Sequence, residues 1–171
     1  MALWRGVGGG AGNRSGRRRG LDRRGSRRAT RRKRLRVVPD TNVLVSAAIA
    51  GGPPRRVLDF MRADRIELVL PDLVIEELIR VLAGKRGWER ARLVEYLRML
   101  DSLAAEKPAA PTAAEPLTGD PDDDRILSCA VASRVDVIAS GNRRHLLPLG
   151  ERQGVRILTP QALLAELRRR G

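Results

Sequence analysis

The feature that most restricts the fold is a set of four short apolar runs: LRVVP at 35–39, IELVL at 66–70, VDVIAS at 135–140 and VRILT at 155–159. They are rich in β-branched residues and too short for helices. They therefore read as strands, largely buried. Helical patterns fill the intervals. NVLVSAAIA at 42–50 is closed by GGPP at 51–54, and Pro54 suits the first turn of RRVLDFMRAD, which ends near Asp64. Pro71 opens PDLVIEELIRVLAG, with Gly84 at its end, and Leu93, Leu97 and Leu100 give residues 88–104 a helical spacing. DPDDDRILSCAVASR and the final PQALLAELRRR complete the set. Strands alternating with helices predict an α/β fold around a small, mainly parallel sheet. In such sheets, active sites gather at the carboxyl ends of the strands.

Composition narrows the possibilities. Hydrophobic residues make up 42 % of the 171 and aromatics 2 %, so the core must be Leu, Val, Ile and Ala. Cys129 is the single cysteine, which excludes an internal disulfide and a cysteine zinc site. It also points to a reducing, cytoplasmic location. No apolar run approaches about 18 residues, so no membrane span is expected. The net charge of +14 is concentrated at one end: residues 1–36 hold thirteen Arg, one Lys and one Asp. That Gly- and Arg-rich segment has no hydrophobic period. Residues 1–34 are expected to be a disordered basic tail ahead of a nearly neutral domain at 35–171. A nucleic-acid-binding arm, a targeting peptide and a start site lying further downstream are the open readings of it. The segment 106–119, EKPAAPTAAEPLTG, has three Pro and no period, and is expected to be a long loop.

Carboxylates mark the candidate site. Asp40 directly follows the first strand, at its carboxyl end. Helix capping explains an Asp there, yet Thr41 and Asn42 could cap as well. Asp120, Asp122, Asp123 and Asp124 fall within five positions. Asp120 is a good N-cap, with Pro121 at the first helical position and acids complementing the helix dipole. Four acids exceed what a cap needs. An EF-hand is excluded because its Gly and final Glu are missing, so Mg²⁺ or Mn²⁺ is the better-suited cation. On the third helix, Glu77 flanks the apolar set more closely than Glu76, and Glu76 is placed to pair with Arg80.

Together the blocks VVPDTNVLVSA, LPDLVIEELIRVL, GDPDDDRILSCAVASRVDVIASGNRRHLLPLG and VRILTPQALL, spanning about residues 36–166, resemble the PIN-domain family. The likeness is to its bacterial toxin group, related to the VapC ribonucleases. The resemblance implies a PIN-like α/β/α sandwich. It also implies an acidic pocket that binds Mg²⁺ or Mn²⁺ and hydrolyses RNA. Asp40, Glu77 and Asp123 match the family's three acids, and Asp120 matches a further acid common in this group. Thr41, Asn42, Ser140 and Asn142 fall beside them as auxiliary residues. Asn142 is a departure, since many relatives carry Asp there. A neutral oxygen at 142 implies a weakly held second metal. An antitoxin partner and a homodimer are also implied.

In that scheme Asp40 and Asp123 hold a metal, Asp120 is a further metal ligand, and Glu77 holds a second ion or orients the attacking water. Arg143 and Arg144 steer RNA phosphates. His145 is the chain's single histidine, so a two-histidine ribonuclease mechanism is excluded. A receiver domain needs a late lysine, and none follows Lys107. A dehalogenase-type phosphatase needs Asp where Asn42 stands. The remaining alternative is a non-catalytic RNA-binding or scaffold protein with a degenerate pocket.

Overall fold

The computed structural model describes residues 34–170. Apart from Arg34, the basic tail lies outside the described residues. Six strands form one sheet in the order β3-β2-β1-β4-β6-β5. They are β1 (Leu35–Pro39), β2 (Ile66–Val69), β3 (Ala104–Glu106), β4 (Val137–Ala139), β5 (Glu151–Arg152) and β6 (Val155–Leu158). All neighbours are parallel except β5 and β6. The flanking helices are α1 (Thr41–Ile49), α2 (Gly52–Arg62), α3 (Asp72–Ile79), α4 (Arg90–Leu103), α5 (Pro121–Ala132) and α6 (Pro160–Arg170). The expected α/β architecture with a mostly parallel sheet is therefore present.

The core is aliphatic, as the composition requires. Val37, Val38, Leu68, Val69, Val137 and Ile138 are fully enclosed in the central strands. Leu44, Leu58, Leu78, Ile126, Leu127 and Leu163 cover them from the helices. Two strands escape the sequence pattern. β3 is AAE, and β5 is ER, neither with an apolar signal. Backbone pairing and charge hold β3 instead: Arg36 on β1 pairs with Glu67 on β2 and Glu106 on β3.

The third helix also departs from expectation. It does not run evenly to Gly84; after Ile79 it becomes a π-helical turn over Arg80–Lys85. Such turns often sit beside functional sites.

Topology fixes the candidate site. From β1 the chain moves one way to β2 and β3, and later the other way to β4 and β6. The boundary between β1 and β4 is the switch point, where α/β sheets open a crevice. Pro39 pairs with Ala139, so the next residues, Asp40 and Ser140, emerge side by side at the carboxyl edge.

The segment 107–119 is a loop, as expected, but it is pinned at both ends. Asp72 Oδ1 accepts from the Ala110 amide at 2.8 Å, and Arg125 Nε donates to the Pro111 carbonyl at 2.9 Å. Asp124 Oδ1 accepts from the amides of Leu117 and Thr118 at 3.0 and 2.7 Å. Asp124 is buried, so its removal orphans two amides. Asp124→Ala is expected to cost about 2 kcal/mol, the scale of a buried charged acceptor lost from its donors. Urea unfolding monitored by circular dichroism measures it, and an unchanged midpoint refutes the anchoring role.

Candidate active site

Asp40 occupies the N-cap position of α1, but its side chain makes no capping hydrogen bond. It turns into the crevice instead, with only 4 % of its surface exposed. Its Oδ2 accepts from Ser140 Oγ at 2.6 Å and from Asn42 Nδ2. Asn42 Oδ1 in turn accepts from the Gly141 amide at 3.0 Å. A Cβ on Gly141 would stand 3.0 Å from that oxygen, so a side chain there forces Asn42 away. Burial raises the Asp40 pKa, and the charge of Glu77 adds to the rise. The hydrogen bonds from Ser140, Thr41 and Asn42 oppose it.

The four aspartates of α5 and its cap divide the work among themselves. Asp120 is the cap: its Oδ1 accepts from the amides of Asp122 and Asp123 at 3.0 and 3.3 Å. Asp122 faces solvent and pairs with Arg125 at 3.4 Å. Asp124 holds the loop, and although burial pushes its pKa up, the bonds from Thr118 and Leu117 outweigh that and lower it. Asp123 alone turns toward Asp40. Its pKa is pushed up to about 7 by burial, then by the charges of Asp40 and Asp120, with Glu77 adding and His145 opposing. The acid cluster of the sequence is thus no single cage.

Asn142 joins the two central acids. Its Oδ1 accepts from the amides of Arg144 and His145 at 3.1 and 3.0 Å. Its Nδ2 donates to Asp123 Oδ2 at 2.8 Å, and its amide donates to Ser140 Oγ at 2.9 Å. A continuous chain results: Asp40, Ser140, Asn142, Asp123. His145 Nδ1 donates to the Thr118 carbonyl at 3.1 Å, since a carbonyl only accepts. Arg143 and Arg144 are exposed beside this turn.

Glu77 stands at the mouth, half-buried, where its charge is felt by both Asp40 and Asp123. It also corrects an expected pairing. Arg80 approaches Glu77, at 3.9 Å, rather than Glu76, which is exposed. Among the described residues, no three His, Cys, Asp or Glu side chains close around one point tightly enough to hold a metal. The donor set still suits a hard cation, because Mg²⁺ commonly takes one or two carboxylates and fills its other positions with water. A second observation agrees. Thr41 is 3 % exposed, and its Oγ1 has no partner among the described residues. A buried hydroxyl without a partner costs free energy unless something else satisfies it.

Residues 36–144 match the family model described as PIN domain. The chain belongs to the PIN-domain family. PIN domains are generally nucleases, and PIN nucleases generally use divalent metals. No curated protein matches the chain. Among solved structures, a chain of VapBC2 from Rickettsia felis, bound to a DNA fragment from their promoter, superposes with a TM-score of 0.47. Its identity is 13 %, covering 73 % of this chain and 98 % of that one. The PIN match spans Asp40, Glu77, Asp120, Asp123, Ser140 and Asn142, and Asp40 and Asp123 are the two acids that the hydrogen-bonded chain joins.

Proposed function

We propose that this PIN domain is a Mg²⁺- or Mn²⁺-dependent endoribonuclease, the toxin of a toxin–antitoxin pair. The observation that carries the reading is the hydrogen-bonded chain from Asp40 to Asp123 at the switch point of the sheet, with Glu77 adding charge at its mouth. Carboxylates that raise one another's pKa gain most from a cation among them. When bound, such a cation supplies an activated water and neutralises charge on the phosphorus oxygens.

The chain's own residues do the rest. Asp40 and Asp123 are the ligands. Ser140 and Asn42 fix the orientation of Asp40, and Asn142 fixes that of Asp123. Glu77 orients the attacking water from the mouth. Asp120 contributes charge from the helix cap. Arg143 and Arg144 draw RNA phosphates toward a pocket whose own charge repels them. The antitoxin partner and a homodimer rest on the motif resemblance, and a cytoplasmic site on the buried free thiol of Cys129.

One observation favours a second reading, a non-catalytic RNA-binding or scaffold protein. Asn142 supplies no charge at a position beside Asp123. Cleavage of a labelled single-stranded RNA separates the two. The purified chain is expected to cut with Mg²⁺ or Mn²⁺ and to stop with EDTA. RNA binding without cutting, under every divalent cation tried, establishes the scaffold instead.

A further inference from the structure

A cleft of about 450 Å³ runs from the first turn of α1 to the π-helical turn after α3, lined by Thr41, Asn42, Ser46, Glu77, Lys85 and Arg86 among others. It begins at two site residues and ends at two exposed cations. Among the described residues neither Lys85 nor Arg86 enters an ion pair. The Thr41 hydroxyl, which has no partner among the described residues, lies in its wall. On the other side of Asn42 and Ser46 lies a smaller cleft of about 190 Å³ that holds Arg143. The two clefts share the first turns of α1. Asn42, which lines both clefts, donates to Asp40, so a strand entering beside Arg143 and leaving over Lys85 and Arg86 passes Glu77 and the side chain that holds Asp40.

We propose that the cleft ending at Lys85 and Arg86 holds the RNA backbone on the far side of the cleaved bond from Arg143. This rests on the nuclease reading for its polarity, but the binding itself does not. The physical need is plain. A pocket of carboxylates repels a polyanion, so affinity must come from cations flanking it, and neutralised phosphates release counterions. Val81 and Lys85, both from the π-helical turn, line the cleft. Val81 is a half-buried part of its wall and Lys85 its exposed rim.

The chain has three lysines, Lys33, Lys85 and Lys107, which permits a direct test on the full chain. Lys107 pairs with Asp101, away from the cleft. With EDTA present, saturating single-stranded RNA is expected to slow acetylation of Lys85 several-fold, read by peptide mass spectrometry, and to leave Lys107 unchanged. In Lys85→Ala/Arg86→Ala, the slope of log affinity against log salt is expected to fall by about 1.4, two contacts of a single strand. KM for RNA then rises about tenfold with kcat within about twofold, the pattern of lost uniform binding. The basic N-terminal segment is common to both proteins and cancels. Protection of Lys85 without any cleavage sinks the nuclease reading and upholds the cleft. Lys85 reacting as fast with RNA as without, or an unchanged salt slope, overturns the cleft.

Discussion

Replacing Asp40 with Asn is expected to lower RNA cleavage by about a thousandfold while leaving the metal-free protein as stable or more stable. The two effects have one origin. Asp40 is buried with its Oδ2 held by Ser140 and Asn42. An amide oxygen still accepts the bonds from Ser140 and Asn42. What disappears is a charge that faces Glu77 and Asp123. Loss of one metal-binding carboxylate removes several kcal/mol of transition-state stabilisation, and about 1.4 kcal/mol is a factor of ten. The Asp40 pKa is raised by burial, so the unfolded chain ionises it at lower pH than the folded one. At neutral pH its ionised form therefore opposes folding, and the neutral amide removes that opposition. Single-turnover cleavage and a thermal melt in EDTA test the pair. Loss of activity together with a large drop in melting temperature makes Asp40 a structural residue and defeats the assignment.

How much of this is legible in the sequence depends on the type of signal. The four strands with short, mostly apolar, β-branched runs stand out, because burial on a parallel sheet writes itself into composition. β3 and β5 do not, since Ala104–Glu106 and Glu151–Arg152 carry no apolar run and join the sheet through backbone pairing. Asp40 is readable as an acid at a strand tip. The choice of Glu77 over Glu76 follows from helical period. The partner of Arg80 does not follow, because Glu77 and Glu76 stand three and four residues before it, and both spacings bring side chains together on a helix. Acid density at 120–124 is visible but acid direction is not. Successive helical residues point about 100° apart, and that rotation sends Asp122 to solvent, Asp123 to the pocket and Asp124 to the loop. For Asn142 the sequence cannot say whether oxygen or nitrogen meets Asp123. The neighbouring amides of Arg144 and His145 decide it by claiming the oxygen.

That same Asp123 makes the effect of a divalent cation depend on pH. Its pKa is raised from 3.8 to about 7, by burial first and then by Asp40 and Asp120. Between those two values the folded state holds a proton that the unfolded chain has released. Metal-free stability therefore falls as pH rises from about 4 to about 7, and levels off above. A cation must displace that proton, so its affinity climbs over the same interval. At about 100 times its dissociation constant, a ligand of the folded state adds about 2.7 kcal/mol. For a domain of this size that is a rise of about 5–10 °C in melting temperature. The rise is expected with Mn²⁺ or Mg²⁺ at pH 8, to shrink sharply at pH 5, and to be absent with Na⁺ at equal ionic strength. Asp123→Asn is expected to flatten the metal-free slope and to abolish most of the cation's effect together. If the variant keeps the full rise, or if wild type shows equal rises at pH 5 and pH 8, the cation binds elsewhere and Asp123 is not its ligand.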